Sequence, residues 1–246
     1  MLKSRKALSE VVSTVIIAGS LLIMAAIASW LAVSLFEVQS QQAEVERAKE
    51  AFLNLAEAIE EVAAKPGASA YVRFSPRAGG VEIQQKYATV TVTIDGNTYS
   101  HTTAAIRYRG GPYASISSKV VLRGGTETNS LPLIVMDSGV PIAWVYTDPS
   151  KGKYVYLDTA RVKITELGEI TVNGDTYKVV EVLFIKLEYG SASAAAIVDT
   201  KVSCVNKTVN VISGSGISIT VNGETHPLGG DCVVYFVVST VRVDFL

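Results

Sequence analysis

The sequence predicts an α+β protein: one long N-terminal helix, apolar and then amphipathic, followed by an antiparallel β-sandwich-like domain. Three observations predict it. Val11 to Phe36 is a run of about 26 residues without a charge. From Glu37 to Ala64 the residues are strong helix formers, with no Gly or Pro before Pro66. Beyond Pro66 the chain turns β-branched and aromatic and is cut by turn signals.

The first element is the uncharged run. As a helix it spans about 39 Å, enough to cross a hydrocarbon core of about 30 Å. Lys3, Arg5 and Lys6 precede it and Glu37 is the first charge after it. The positive-inside rule therefore places Met1 in the cytoplasm and everything after Phe36 outside. A secretory signal has an apolar region of roughly 7–15 residues and then a small-x-small cleavage site. This run is longer and continues directly into further helix.

The second element is that continuation. Val38, Val45, Phe52 and Ile59 recur every seven residues, with Ala48, Leu55 and Val62 as companions. This a/d stripe predicts a helix face made for packing, while Glu44, Glu46, Lys49, Glu50, Glu57 and Glu60 fall mostly off it. Val45, Phe52, Leu55, Ile59 and Val62 are the residues expected to hold the helix on the β domain. One continuous helix from about Ser9 to Ala64 would be about 80 Å long. Pro66-Gly67 ends it.

The third element is the β-rich remainder. YATVTVTI (87–94), KVVLR (119–123), YKVVEVLFIKLEY (177–189) and DCVVYFVVSTVRVDFL (231–246) read as strands. TVTIDGNTY (91–99), EITVNGDTY (169–177) and SITVNGETH (218–226) each read as strand, two-residue turn, strand. Their starts are 78 and then 49 residues apart, which is not a solenoid period. The last strand, the most apolar, is expected at the centre of a sheet, against the amphipathic half-helix. Only SASAAAI (191–197) is ambiguous between helix and strand.

The chain has 246 residues, a formal net charge of −1 and 18% charged residues. A balanced charge gives no electrostatic case for a nucleic-acid partner. The two cysteines, Cys204 and Cys232, fall outside the membrane on this topology. That environment permits a disulfide, worth about 3 kcal/mol in the chain-entropy model; two free buried cysteines are the alternative. Asn206-Lys207-Thr208 is an N-glycosylation sequon.

No constellation of catalytic, metal-binding or cofactor-binding residues emerges, so the chain is read as a non-enzyme. His101 and His226 read as surface or rim histidines. Gly214-Ser215-Gly216 lacks the strand-elbow-helix setting of a hydrolase nucleophile. Asp137, Asp148, Asp158 and Asp199 lack calcium-loop spacing. Trp144 and Tyr146 are neighbours but otherwise isolated, which argues against a sugar-binding platform.

KALSEVVSTVIIAG, with its basic leader before a long apolar helix, resembles the N-terminus of archaeal type IV pilins. The motif match covers roughly residues 5–25, and the long two-part helix followed by a β-rich domain extends the likeness over the chain. The resemblance implies a leader, residues 1–7, cut by a prepilin peptidase after Lys6 and Ala7, with Leu8 as the new N-terminus. It implies a helix over residues 8–65, in which 8–36 serves first as membrane anchor and then as filament core and 37–65 is amphipathic. A surface domain over 66–246 follows. Val11, Val15, Ile16, Leu22, Ile23, Ile27, Leu31 and Phe36 would supply the core. Ala18, Gly19, Ala25, Ala26 and Ala28 would allow close packing within lipid. The implied function is an extracellular adhesion pilus, a homopolymer assembled by an ATPase and a membrane platform protein. The implied location is the cell membrane as precursor and the cell surface when mature. Glycosylated surface filaments of this kind make Asn206 a candidate acceptor. Two other readings stand: an archaellin, the subunit of a swimming filament, and a membrane-tethered binding module.

Overall fold

The computed structural model describes residues 2–125, 132–136, 139–149, 152–192 and 198–246, with the backbone alone for 2–11, 192 and 198. Asp137 and residues 193–197 of the ambiguous segment lie outside the described residues.

One helix, α1, runs from Leu2 to Ala64. The strands follow as β1 (Ser69–Phe74), β2 (Gly80–Ile94), β3 (Asn97–Arg109), β4 (Val121–Arg123), β5 (Ile134–Val135), β6 (Trp144–Asp148) and β7 (Tyr154–Asp158). They continue as β8 (Val162–Val172), β9 (Asp175–Ala192), β10 (Val198–Ser215), β11 (Ser218–Val221), β12 (Glu224–Pro227) and β13 (Asp231–Phe245). The first sheet has the order β1-β10-β13-β9-β8-β5 and the second β12-β11-β2-β3-β7-β6-β4. The arrangement is α+β, with two mostly antiparallel sheets in a sandwich-like relation.

The helix ends where Pro66 cannot continue it. Gly67 turns the chain at φ 80°, and its amide donates to the Cys204 carbonyl. Ser239 Oγ donates to the Ala63 carbonyl and Lys207 Nζ to that of Ala64, so the helix end is capped by β10 and β13. Each hairpin read from the sequence has positive φ at both turn residues: Asp95-Gly96, Asn173-Gly174 and Asn222-Gly223. That is the type I′ geometry whose twist matches the flanking strands.

β13 lies inside its sheet, antiparallel to β10 but parallel to β9. The parallel pair departs from an all-antiparallel sheet. It arises because the chain returns to β13 through β10 and the β11–β12 hairpin of the other sheet, and no tight turn joins β9 to β13.

Two cores result. Even-numbered Cys232, Val234, Phe236 and Val238 of β13 meet Val90, Val92 and Ile94 of β2 in a core between the sheets. Odd-numbered Val241, Val243 and Phe245 meet Val45, Phe52 and Ile59 of α1 in a second core, which Ile106 of β3 and Leu157 of β7 also enter. Side chains alternate along a strand, so the two cores lie on opposite faces of the first sheet. The sheets cross where β3 and β9 meet. Pairing of β9 with β8 stops at Phe184, which leaves the next backbone groups on that edge of β9 without a strand, while β13 still pairs with the other edge. Thr159 Oγ1 donates to the Ile185 carbonyl (2.6 Å), and Thr103 Oγ1 accepts from the Leu187 amide (2.9 Å). Both threonines are fully buried, and they satisfy polar groups that would otherwise be orphaned.

Candidate functional site

The strongest candidate is α1 itself, which has two regimes. From Gln41 onward one face is buried, at Gln41, Val45, Ala48, Phe52, Leu55, Ile59 and Val62. The steps alternate four and three residues, the spacing that keeps one helix face on one partner. Val38 does not belong to this face: it is 42% exposed, because the domain ends below it.

From Val12 to Phe36 the helix is exposed, with only Gly19 and Ser34 partly covered. Val15, Ile16, Leu22, Ile23, Ile27, Leu31 and Phe36 are all exposed, as are Met24 and Trp30. Ser20 Oγ donates to the Ile17 carbonyl and Ser34 Oγ to that of Trp30, so these hydroxyls are satisfied within the helix. The helix is long and apolar enough to cross a membrane. Exposed apolar surface on this scale marks a membrane or protein interface. Lys6, Ala7, Leu8 and Val11 lie on the helical backbone, and their side chains are outside the described residues.

A polar mount fixes the helix where it leaves the domain. The Glu44 carboxylate accepts from the amides of Arg77 (3.1 Å), Ala78 (3.1 Å) and Gly79 (2.9 Å) and from the Tyr108 hydroxyl (2.8 Å). Burial alone would push its carboxyl up, but these four hydrogen bonds outweigh it and hold the group below the usual value. Gln41 Oε1 accepts from the Tyr113 amide and Gln42 Oε1 from that of Ser115. Lower down, Glu60 accepts from the Ala143 amide (2.7 Å) and from Arg123 (2.8 Å), which also reaches Glu57. Periodicity put Glu44, Glu57 and Glu60 off the packing stripe. Their partners lie in distant loops, so no local pattern announces them.

The aromatic residues require a correction. Trp144 and Tyr146 are not isolated. Tyr146 stacks on Tyr156 at 5.3 Å, Tyr154 and Tyr87 pack on Tyr156, and the Tyr87 and Tyr146 hydroxyls are 2.9 Å apart. Pairing of β6 with β7 sets Tyr146 opposite Tyr156, a long-range register that sequence spacing does not carry. The cluster offers no open platform, because Trp144, Tyr146 and Tyr156 are buried. Beneath it, Arg161 is 0% exposed, lies 4.8 Å from the Trp144 ring centre and donates to the carbonyls of Ile142, Gly124 and Pro141. Burial lowers the Arg161 guanidinium to about 10. Asp158 beside it is pushed up to about 6 by burial, against the lowering pull of the Ala160 amide, Trp144 and Arg161. Burial and the Asp158 charge raise the Tyr146 hydroxyl far above its usual value. These groups are closed off from solvent and hold the fold.

His101 is half-buried and stacks on Phe184 at 5.8 Å; burial, then Lys186, lowers its pKa. His226 is on edge strand β12. Among the described residues no three His, Cys, Asp or Glu side chains are grouped to hold a metal. A groove of about 590 Å³ beside the mount is lined by Phe36, Arg47, Arg73, Arg77 and Tyr108 among others, without a catalytic pair.

The disulfide expectation is also corrected: Cys204 and Cys232 are free and buried, one in each core. Cys204 sits opposite Val241 on β13. Cys232 lies nine positions back along that same strand, about 30 Å away at roughly 3.3 Å per residue, whereas a disulfide needs Cα atoms within about 7 Å. Asn206 is exposed, next to the β-bulge between Cys204 and Asn206.

No protein-family model, no curated protein and no solved structure matches the chain.

Proposed function

We propose that the chain is a structural subunit of an extracellular filament of the archaeal type IV pilus kind, serving adhesion and polymerising through its N-terminal helix. One observation carries the reading. A single uninterrupted helix is clamped to a β domain by its second half and presents residues 12–36 exposed and without a charge. A plain anchor needs the bare half alone. A rigid mount that holds it in line with a docked half serves a subunit whose domains must be placed regularly around a helical core.

In the membrane the bare segment is dissolved in lipid. In a filament, burial of each Leu, Ile or Val is worth roughly 1.5–3 kcal/mol relative to water. The leader is removed after Ala7 by a prepilin peptidase, and an assembly ATPase with a platform protein lifts the helix out of lipid. No cofactor takes part. The test is electron microscopy and N-terminal sequencing of material sheared from cells expressing the full chain. Helical filaments whose subunits begin at Leu8 are expected. Surface material without filaments, or with Met1 intact, contradicts the proposal.

A further inference from the structure

Among the described residues the six-stranded sheet is open at both ends, and the two open ends match. Beyond Cys204, β10 has β13 on one side and no strand on the other among the described residues, because β1 pairs only with Val198–Ser203. That free edge exposes Val209 and Val211. At the other end, β5 covers only Val162 and Lys163 of β8. The rest of β8 runs along β9 as an arm that shows Leu167, Ile170 and Val172; β13 backs β9 from Lys178 on, so only the tip, residues 170–172 with 175–177, is two-stranded. Long edges with exposed apolar side chains are templates for strand addition, and a two-stranded tip is marginal in water without a partner.

The faces and directions agree. Gly168 pairs with Val179, Val179 with Val233 and Val233 with Ser213. Ile170 and Val172 alternate with Gly168, and Val209 and Val211 with Ser213, so all four side chains share one face of the sheet. Between β8 and β10 the pairings are antiparallel, parallel and antiparallel, so the two strands run in the same direction. A second copy placed beside the first in the same orientation therefore offers β8 to β10 with apolar faces aligned.

The geometry points to a second copy of this chain as the occupant of the β10 edge: the β8 arm of one subunit adds, parallel, to β10 of the next. The contact is heterologous and does not close on itself in a pair, which makes it propagate along a polymer. It deepens the filament reading, on which it rests, by giving the surface domains a direct link outside the helical core.

Cysteine pairs test it in the full chain: Ile170→Cys combined with Val209→Cys or with Val211→Cys, oxidised mildly in assembled material. A link within one chain is excluded, because three strand spacings of about 4.8 Å separate the sites by about 14 Å. Cys204 and Cys232 are buried and do not compete. At least one pair is expected to give a reducible ladder of dimers, trimers and higher species, with none from either single variant. Filaments that give no ladder with either pair overturn this inference and leave the helix-core reading standing. A wild-type chain that forms no filaments overturns that reading, and this one falls with it.

Discussion

Phe52→Ala tests where the helix is held. Phe52 is fully buried on α1 and meets the Phe74 ring edge-on at 5.4 Å and 75°. Truncating a buried phenylalanine costs about 3–5 kcal/mol, of which the aromatic pair accounts for about 1. For a domain of this size each kcal/mol moves the melting temperature by about 2–4 °C, so a fall of about 10 °C is expected. Val38→Ala is the matched control. It lies two heptads earlier, on the stripe read from the sequence, yet it is exposed. Its truncation should stay within about 0.5 kcal/mol. The assay is thermal unfolding of the detergent-solubilised full chain, followed by near-ultraviolet circular dichroism. Equal losses at the two positions, or a Phe52→Ala protein that melts like wild type, would refute the claim that docking starts at Gln41.

Further outcomes follow from the buried polar groups and the thiols. Asp158 has a folded-state pKa raised to about 6, so the fold binds its proton more tightly than the unfolded chain does. Its contribution is greatest below about pH 4 and is lost as pH rises to about 6, by about 3 kcal/mol at 1.36 kcal/mol per unit. Asp158→Asn should flatten that limb of the stability–pH curve, and an unchanged curve would count against the buried, ionisable carboxyl. Thr103→Val leaves the Leu187 amide without its acceptor and should cost about 1–3 kcal/mol in denaturant titration; a neutral result would contradict the role given to the sheet crossing. Thiol titration should find two reactive groups per chain in denaturant and almost none in the native protein, whereas a Cys204–Cys232 linked peptide in a digest would disprove the separation along β13.

The parts legible in the sequence are those fixed by local geometry. The seven-residue recurrence from Val45 to Val62 marks a helix face because helical periodicity forces those side chains together. Asp95-Gly96, Asn173-Gly174 and Asn222-Gly223 mark hairpins because few other residues accept positive φ twice in succession. What stayed hidden depends on distant partners. Glu44 and Glu60 look like solvated helix charges until the loops at Arg77–Gly79 and Ala143 fold against them. Arg161, in the turn between β7 and β8, binds three carbonyls in the interior, and no local spacing announces them. Cys204 and Cys232 are close in sequence, but the strand pairing carries them to opposite ends of β13. Val38 kept the heptad spacing without the burial, because periodicity does not record where the partner surface stops.

The central claim is that Val12–Phe36 builds the core of a polymer. Ile23, exposed near the middle of the segment, is the position to test it. Ile23→Asp adds a charge that costs roughly 2.5–3.5 kcal/mol on membrane insertion, which a segment of this hydropathy tolerates. In a packed helical core the carboxylate would be buried without a partner in every subunit. The measurement is electron microscopy of cells and sheared fractions beside wild type, with membrane-fraction immunoblotting to show the variant inserted and intact. The account predicts inserted, folded protein and no filaments. Filaments of normal number and length from Ile23→Asp would contradict it.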